Sequence, residues 1–373
     1  MEESTLKNRA LNLHDKYDLL NLINDLAKDE MGDKAFLFSI KQLNFYSNPN
    51  KAVKTYRNFY IPKKNGGERH IAAPSKALGC IQYYINIILK ALYRPSECVT
   101  GFTEGKSIID NALKHVGQNY VFNIDLKDFF TSIPRTRIYK RLQLVPFSYN
   151  KQVASIIAGL CCIRDDTDKK YSKQYLPQGA PTSPIITNMV CDDLDRKLSK
   201  LAYHYNLKYS RYADDITFSS KHNVYQENGN TTNGVFGIFG HEQKTFRSEL
   251  EKIISEEGFT INQRKTRLQK ANTRQEVTGL VVNKKVNVTK YYIHGIRNLL
   301  NIWEKYGYDE ATKAFLPYYS KNKKHVKGKP DMRNVVWGKL QYIRMVKGSN
   351  NPVFLNLQKR FNLLADEIKT KSV

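Results

Sequence analysis

The stretch SRYADDITFSS, residues 210–220, places two adjacent acids, Asp214 and Asp215, in the middle of a segment that otherwise has the composition of a β-strand. The β-branched and aromatic residues on both sides predict strand, turn and strand over residues 208–220, with both carboxylates at the tip. Because Asp is common in turns, the pair alone also fits an ordinary solvated turn. Two neighbouring carboxylates repel each other unless a cation lies between them, so the pair raises the question of which cation it holds.

The overall charge predicts a polyanionic partner. The chain has 373 residues, with 60 Lys and Arg against 35 Asp and Glu, which gives a net charge of +25. Solubility alone requires far less charge, and the 24 Tyr and 17 Phe add rings that can stack on bases. The apolar fraction of 41% is enough for a buried core in two or three domains. We therefore expect a folded protein that binds nucleic acid.

The cysteines and the apolar runs indicate a soluble protein of a reducing compartment. The five Cys form no CxxC pair, so neither a disulfide framework nor a zinc site is expected. The most apolar run, VASIIAGLCCI at 153–163, is about half as long as the roughly 20 residues that a membrane span requires. The N-terminus, MEESTLKNRA, has no apolar signal core. We expect a cytoplasmic protein without a membrane partner.

A third acid strengthens the metal interpretation. In FNIDLKDFF, residues 122–130, Asp125 stands inside an apolar predicted strand, where a buried carboxylate needs a partner. Three carboxylates from two adjacent strands, Asp125, Asp214 and Asp215, can hold two Mg²⁺ ions, because Mg²⁺ prefers oxygen ligands. Such a pair of ions supports nucleotidyl transfer. These three acids are therefore the candidate metal ligands and catalytic residues.

Another group of acids is expected to have no special role. Asp192, Asp193 and Asp195 fall within a single predicted helix over residues 183–205. A helix face directed at water is enough to explain them. We expect all three side chains to be solvated.

Three motifs, in this order, resemble the reverse transcriptase family: NIDLKDFF at 123–130, LPQGAPTSP at 176–184 and YADD at 212–215. The resemblance covers about residues 55–290. It implies an RNA-directed DNA polymerase, a nucleotidyltransferase, in which the three acids named above bind two Mg²⁺ ions.

The resemblance also implies an α+β fold of the right-hand polymerase type, with fingers, a palm built from an antiparallel sheet plus helices, and a helical thumb. Strands and helices that alternate irregularly favour α+β over a doubly wound sheet. In chain order, the expected divisions are the N-terminal helices and fingers at 1–119, the first catalytic strand of the palm at 120–134, a return to the fingers at 135–178, the rest of the palm at 179–288 and the basic helical thumb at 289–373.

The same resemblance assigns residues to the incoming deoxynucleotide (dNTP). Phe130 matches an aromatic gate that fills the space of a ribose 2′-hydroxyl, although a core Phe fits the position as well. Residues of opposite parity on a strand face opposite sides, so the strand that carries Asp125 must end near Asp128 if Phe130 is to share its site. Gln178 and Gly179 match the loop that contacts the nucleotide, and Gly179 allows close backbone approach.

Cationic side chains complete the expected site. Arg69, with Lys63 assisting, matches the finger residues that grip the triphosphate, a task that suits a planar guanidinium. Lys265 matches the lysine that protonates the departing pyrophosphate, with Arg264 and Arg267 as close competitors. Taken alone, Arg69 or Lys63 also fits plain surface charge.

Two further segments narrow the resemblance to the bacterial retron reverse transcriptases. The first is NALKH, from Asn111 to His115, just before the first catalytic strand; the second is VTG, which comprises Val277, Thr278 and Gly279. Taken alone, His115 fits a structural histidine. As part of a family signature, both segments are expected to serve the RNA or the primer–template.

Retron membership implies a set of partners. Such an enzyme copies part of a structured noncoding RNA into DNA, starts from the 2′-hydroxyl of a guanosine in that RNA, and yields a branched RNA–DNA hybrid called msDNA. The resemblance also implies a role in phage defence beside a separate effector protein. A host ribonuclease H is expected to degrade the template.

The C-terminal region carries a run of lysines, KNKKHVKGKP at 321–330. A primer–template duplex must be held without regard to its sequence, so contacts to phosphate are expected there. A solvated charge run explains the same pattern. The candidates are Lys321, Lys323, Lys324, Lys327 and Lys329. Residues 222–241, rich in Gly and Asn, predict a loop or insertion whose role the sequence leaves open.

Three alternatives remain open at this point. One is a group II intron-like or diversity-generating reverse transcriptase, and another is an RNA-templated RNA polymerase, which has no need of Phe130. A third, of a different class, is a noncatalytic RNA-binding scaffold that has kept the polymerase form. The scaffold predicts no Mg²⁺-dependent synthesis by the parent protein.

Overall fold

The computed structural model of the chain describes residues 1–48, 50–51, 55–63, 66–165, 173–225, 245–322 and 330–371. The helices within these ranges are α1 (Glu3–Leu11), α2 (Lys16–Met31), α3 (Ile40–Tyr46), α4 (Lys76–Leu92), α5 (Ile108–Leu113), α6 (Arg135–Leu142), α7 (Lys151–Leu160), α8 (Ser183–Val190), α9 (Asp192–His204), α10 (Phe246–Glu256), α11 (Lys290–Asn322), α12 (Met332–Lys347) and α13 (Pro352–Lys371). The strands are β1 (Tyr56–Pro62), β2 (Glu68–Pro74), β3 (Tyr120–Asp125), β4 (Ile163–Arg164), β5 (Gln174–Tyr175), β6 (Lys208–Tyr212), β7 (Asp215–Ser220), β8 (Arg267–Lys270), β9 (Glu276–Val277) and β10 (Leu280–Val281).

A four-stranded antiparallel sheet, in the order β6-β7-β3-β8, lies at the centre of the fold. The hairpin predicted over residues 208–220 is confirmed as β6 and β7. Strand β3 pairs with β7 along its whole length, so that Asp125 lies opposite Asp215 and Phe122 lies opposite Phe218. The two Phe rings pack against an aromatic ring of α10 and fix one face of the sheet on the core.

The main hydrophobic core lies between this sheet and the helices α1–α4 and α6–α10. Helix α4 is apolar nearly all round and is buried, as its sequence predicts; Ile81, Ile85 and Leu89 have no exposed surface. Helices α2 and α3 begin at capping boxes formed by Asp15 and Ser39, which satisfy the free N–H groups of the first turn.

Two other predicted elements have different outcomes. In residues 59–74, two short apolar stretches flank a basic turn, a pattern that predicts a hairpin. The hairpin is confirmed as β1 and β2, which pair antiparallel from Tyr56 opposite Pro74. The single helix predicted over residues 183–205 is instead two helices, α8 and α9. The chain leaves helical geometry at Cys191, where φ is −86° and ψ is 3°, and this change of direction re-aims the acids that follow.

The C-terminal helices α11, α12 and α13 form a second core of their own. Leu300, Leu340 and Leu357, one from each helix, are buried in it. Helix α11 is interrupted at Gly307, where a φ of 82° suits glycine, which has no Cβ to clash. Val121 of β3 also belongs to this second core, so the central sheet has apolar contacts with both cores.

The architecture confirms the α+β class. Helices gather beside and beyond antiparallel strands rather than alternating with parallel ones. Within the described ranges, the helices are too short or too polar for any of them to cross a membrane.

Candidate active site

The three predicted acids lie together at one corner of the central sheet. Asp125 is the last residue of β3 and is paired with Asp215, the first residue of β7. The backbone N–H of Leu126 donates to the carbonyl of Asp214 at 3.0 Å, which fixes the third acid beside the other two. The turn between β6 and β7 includes Ala213 at a φ of 56°, a left-handed conformation that non-glycine residues seldom adopt. The sheet therefore presents three carboxylates from two adjacent strands.

The protein around these acids raises the pKa of two of them. For Asp215, loss of hydration comes first, followed by the charges of Asp214 and Asp125, and together they raise the pKa to about 6. The same causes, burial and then the charge of Asp125, raise the pKa of Asp214. Acids that resist ionisation in this way lack enough neighbouring positive charge. The corner of the sheet therefore carries surplus negative charge that a cation would neutralise.

Lys265 supplies one positive charge to the three acids. Its Nζ lies 2.9 and 2.8 Å from the two carboxylate oxygens of Asp125, and Asn262 donates to the same carboxylate at 3.1 Å. Burial works against the charged amine, yet the hydrogen bond and charge of Asp125, followed by the charges of Asp214 and Asp215, raise the pKa of Lys265. Of the basic residues predicted for this role, it is Lys265 that contacts a candidate metal ligand.

The donor set fits a hard divalent cation by its chemistry, since it consists of carboxylate oxygens with insufficient positive charge around them. Within the described part of the chain, no three acidic, His or Cys side chains are arranged as they would be around a metal ion. Asp125 directs both oxygens at Lys265 instead. A cation bound by all three acids would therefore compete with the Lys265 amine for Asp125.

The loop with Gln178 and Gly179 is attached to the β1–β2 hairpin. The N–H of Ala72, on β2, donates to the carbonyl of Gln178 at 2.9 Å. Gly179 has a φ of 124°, and a Cβ there would lie 2.9 Å from the Cγ2 of Ile71. A side chain at position 179 would therefore separate the loop from the hairpin, so glycine is required for this contact.

The same hairpin carries the two predicted triphosphate ligands. Arg69 is exposed on β2, and its charge lowers the pKa of Asp214, although less than burial and Asp125 raise it. Lys63 lies at the turn, where its N–H donates to the carbonyl of Gly67 at 2.9 Å. The structure thus places Arg69 near the acids and Lys63 at the tip of the hairpin.

Phe130 lies beyond the end of β3, as its predicted position beside the acids requires. The strand ends at Asp125, and the chain then turns through Asp128 at a φ of 48°. The Phe130 side chain is half-buried, with ring centroids 5.6 Å from Phe129 and 6.2 Å from Phe102. Because the strand has already ended and the ring is only half-buried, the structure is compatible with the predicted position of Phe130 in the site.

Asn111 and His115, predicted to serve the RNA, are both fully buried beneath the sheet. The Nδ1 and Nε2 atoms of His115 lie 2.7 Å from the hydroxyls of Ser219 and Ser210, and Asn111 accepts a hydrogen bond from Thr100. Burial, followed by the charges of nearby lysines, lowers the pKa of His115 to about 3. As placed, these side chains touch no solvent, so the structure gives them a role in holding the strands and the loop around them rather than a direct contact with RNA.

The VTG segment forms the turn between β9 and β10. Val277 is buried in the second core, whereas Thr278 and Gly279 make the turn with φ values of 48° and 80°. The Thr278 hydroxyl donates to the carbonyl of Ile108, at the start of α5, at 3.2 Å. The sequence of residues 276–289 predicts a short hairpin with its turn at NKK, residues 283–285, whereas β9 and β10 turn at Thr278–Gly279.

The predicted phosphate contacts of the basic tail are largely outside the described residues. The main chain of Lys321 is described in the last turn of α11. Lys323, Lys324, Lys327 and Lys329 lie outside the described residues, as do residues 226–244 of the predicted insertion and its flank.

The sequence interpretation missed a buried ion pair behind the acids. Asp195 was expected to face water, but its side chain is 2% exposed and accepts two hydrogen bonds from Arg211, at 2.8 and 2.6 Å. Tyr209 donates a third, at 2.7 Å. The break at Cys191 aims Asp195 inward, which explains the error. An arginine in an apolar strand was the available signal, because a buried guanidinium requires an acid.

Arg211 also contacts the turn that bears the acids. Its Nη1 lies 3.2 Å from both the carbonyl oxygen of Ala213 and the Oδ1 of Asn188. Gly101 packs on the same turn so closely that a Cβ there would lie 2.4 Å from the backbone nitrogen of Ala213. The turn is therefore held from behind by a guanidinium and by a glycine loop, neither of which the sequence interpretation identified.

Comparison with known proteins agrees with this geometry. A family model described as reverse transcriptase (RNA-dependent DNA polymerase) matches residues 61–291. The chain is 32% identical over 289 residues to the retron Mx65 reverse transcriptase of Myxococcus xanthus, a match that covers 74% of this chain and 63% of that protein. It is 32% identical over 234 residues to the retron Ec86 reverse transcriptase of Escherichia coli, with 61% of this chain and 63% of that protein covered.

The matches to the curated relatives cover only part of each protein. The chain spans less than two thirds of the length of either curated relative. A solved structure of telomerase from Candida albicans with the TWJ fragment of telomeric RNA gives a TM-score of 0.41 at 11% identity, over 94% of this chain and 68% of that one, which is too distant to support an argument. The family model, however, covers more than half of the chain and includes all three motifs. The resemblance to bacterial retron enzymes is thereby confirmed, and the chain, an α+β protein of the right-hand polymerase type, belongs to the reverse transcriptase family.

Proposed function

We propose that this chain is the RNA-directed DNA polymerase of a retron, and that it acts by two-metal nucleotidyl transfer. The observation that carries the proposal is the corner of the sheet where Asp125, Asp214 and Asp215 meet and where Lys265 is bonded to Asp125. These acids would hold two Mg²⁺ ions, which when bound would activate the primer hydroxyl and neutralise charge on the phosphates.

The other predicted site residues bind and orient the nucleotide in this proposal. Arg69 and Lys63, both on the β1–β2 hairpin, bind the triphosphate through charge-assisted hydrogen bonds. Gln178 and Gly179, in the loop bonded to that hairpin, bring backbone close to the nucleotide. Lys265 holds a proton on Nζ close to Asp125 and donates it to the departing pyrophosphate.

Phe130 selects the sugar in this proposal. Its half-buried ring lies past the end of β3, and in this proposal it occupies the volume that a 2′-hydroxyl would need. A deoxyribose has no such group and is accepted. This role favours DNA synthesis over the alternative of RNA-templated RNA synthesis.

The divisions of the chain follow the same proposal. The fingers comprise residues 1–119 and 135–178, the palm comprises 120–134 and 179–288, and the thumb comprises 289–373. The separate core of α11–α13 supports a thumb that packs as a unit against the palm.

The retron assignment extends the proposal to substrate and partners. The two relatives named as retron enzymes support it. In this proposal the protein acts in the cytoplasm and copies part of a structured noncoding RNA, starting from a 2′-hydroxyl within that RNA, into msDNA. A host ribonuclease H removes the copied template, and the product serves phage defence with a separate effector protein.

Copurified nucleic acid and primed synthesis test this proposal together. The protein is expressed with the RNA encoded beside its gene, and the bound nucleic acid is sequenced before and after ribonuclease treatment. We expect DNA joined to RNA at one internal guanosine, and Mg²⁺-dependent incorporation of deoxynucleotides that Asp214→Asn abolishes.

Other results would select the alternatives. Extension with ribonucleotides alone would indicate an RNA polymerase. DNA that starts from a conventional 3′-end would indicate an intron-like or diversity-generating enzyme. RNA binding with no synthesis by the parent protein would indicate a scaffold.

A further inference from the structure

A large side chain has left-handed backbone in the loop that packs on the turn bearing the acids. Among the described residues, six other than glycine have a positive φ: Phe102, Asp128, Ser148, Asn206, Ala213 and Thr278. Phe102, at a φ of 58°, is the bulkiest of the six. A large side chain in this conformation is an outlier that costs energy and persists only where neighbouring structure enforces it. The position of Phe102 therefore calls for an explanation.

The backbone on both sides of Phe102 is held against the turn that bears the acids. Gly101 lies in direct contact with the backbone of that turn, as described above. Asn188 donates from Nδ2 to the carbonyls of Gly101 and Phe102, at 3.0 and 3.5 Å. The N–H of Thr100 donates to the carbonyl of Arg211 at 2.9 Å. These contacts impose the left-handed conformation and decide where the ring of Phe102 goes.

The ring contacts Phe130. The two ring centroids lie 6.2 Å apart with planes inclined at 55°, within the range of favourable aromatic pairs. Phe129, which is 3% exposed, contacts Phe130 as well, with centroids 5.6 Å apart. Phe102 differs in that 41% of its surface remains exposed. An aromatic side chain held in a strained conformation and left partly in solvent gains little from burial, so ordinary core packing does not account for it.

We propose that Phe102 is a positioning residue that fixes the ring of Phe130 and thereby sets the discrimination between deoxyribonucleotides and ribonucleotides. The inference rests on the proposed function, in which Phe130 excludes the 2′-hydroxyl. A gate excludes a hydroxyl only if its ring cannot rotate aside. Phe129 restrains the Phe130 ring on the side of the core. Phe102 restrains it on the other side, from the loop at residues 101–105, which is held against the turn that bears the acids.

Single-nucleotide incorporation with dCTP and CTP tests the inference. The full-length protein extends a DNA primer annealed to an RNA template, and kcat and KM are measured for both nucleotides. In Phe102→Ala we expect the preference for dCTP over CTP to fall about tenfold, mainly because the KM for CTP falls. Phe102→Tyr keeps the ring and is expected to retain the parental preference. Phe36→Ala, at an exposed aromatic side chain of the N-terminal region, is the matched control.

A double-mutant cycle separates positioning from independent contact. If Phe102 acts through Phe130, adding Phe102→Ala to Phe130→Ala leaves the preference where Phe130→Ala alone puts it. An additive effect, or an equal rise in KM for both nucleotides, would mean that Phe102 contacts the nucleic acid itself and would overturn the inference. An unchanged preference in Phe102→Ala would also overturn it.

The inference and the proposed function fail in different ways. No incorporation of any nucleotide by the parent protein overturns the proposed function, and the inference with it. Incorporation with unchanged preference overturns the inference alone. If Phe102→Ala does not fold, judged by thermal unfolding, Phe102→Leu replaces it, since it keeps apolar volume but removes the ring.

Discussion

Acids on the two sides of the β6–β7 hairpin lie in opposite electrostatic environments. Behind it, Asp195 is fully enclosed and its charge is balanced by two hydrogen bonds from Arg211 and one from Tyr209. In front of it, Lys265 is bonded to Asp125, and burial and the neighbouring carboxylates raise the pKa of Asp214 and of Asp215. The difference indicates that the rear charges serve the fold, whereas the front charges are left unbalanced for a ligand.

The rear ion pair also supports the front. Arg211 contacts the carbonyl of Ala213, the residue before Asp214, and Asn188 links Arg211 to the loop at Gly101. His115 joins the two strands of the hairpin through a serine on each. The hydrogen bonds behind the hairpin thus fix the backbone that presents the three acids, whose own charge is not fully balanced.

Removing a front acid is expected to have the largest effect, on synthesis rather than stability. Asp214→Asn should lower primer extension at least a thousandfold, about 4 kcal/mol of transition-state stabilisation, because a proposed metal ligand is lost. The free energy of unfolding without metal should stay the same or rise, since one of the repelling carboxylates is gone. Urea denaturation and single-turnover extension measure both quantities. Asp193→Asn, on an exposed acid, is the control and should change neither.

Removing the rear acid should reverse this pattern. Asp195→Asn leaves the buried charge of Arg211 unpaired, and we expect a loss of about 3–5 kcal/mol in the free energy of unfolding. Arg211→Met in the same chain should restore part of that loss, because no buried charge then remains. Equal stability of Asp195→Asn and the parent protein in urea denaturation would contradict the assigned role of the ion pair.

Gly101→Ala tests the contact between the two regions at the backbone. The added methyl group would lie 2.4 Å from the nitrogen of Ala213, so either the loop or the turn must move. We expect a loss of about 3 kcal/mol in stability, typical of overpacking, together with slower primer extension. Gly105→Ala is a useful comparison in the same loop: its Cβ meets no atom within 4 Å, so its cost is confined to its φ of 70°.

His115 gives the smallest effect and a distinct dependence on pH. Its pKa is about 3 in the folded protein against 6.5 for an ordinary histidine, so the unfolded chain binds more protons between these values. Stability from this group is present above pH 6.5 and is lost as pH falls toward about 3. Between about pH 6.5 and about pH 5, the free energy of unfolding of the parent protein should fall by about 2 kcal/mol because of this group. In His115→Gln that part of the fall should be absent, and urea denaturation at the two pH values measures it. An identical slope in the two proteins would contradict this account.

The front of the site could be predicted from the sequence because its signals are local. Adjacent acids in a strand-forming stretch specify a hairpin tip, and Asp125 stands out within its own apolar strand. The rear network could not be predicted in the same way. The inward turn of Asp195 follows from the helix break at Cys191, and its partner Arg211 lies on another element. Tertiary contacts decide such burial.

The loop at Gly101 and Phe102 illustrates the same limit. Its sequence, GFTEG, reads as an ordinary turn, and nothing local indicates that it packs on the β6–β7 turn or that its aromatic ring contacts Phe130. His115 was recognised as part of a signature, but its burial depends on which side of the sheet α5 occupies. Sequence therefore identified the chemical groups, whereas their support required the fold.

Strand β3 has neighbouring residues in two different cores: Val121 packs with the C-terminal helices, and Phe122 packs with the rest of the protein. Shortening the chain at the start of α11 would consequently uncover apolar surface on the strand that ends in Asp125. A truncated protein of that kind should aggregate instead of behaving as a smaller polymerase. Engineered versions are better altered within the helices than by removing them.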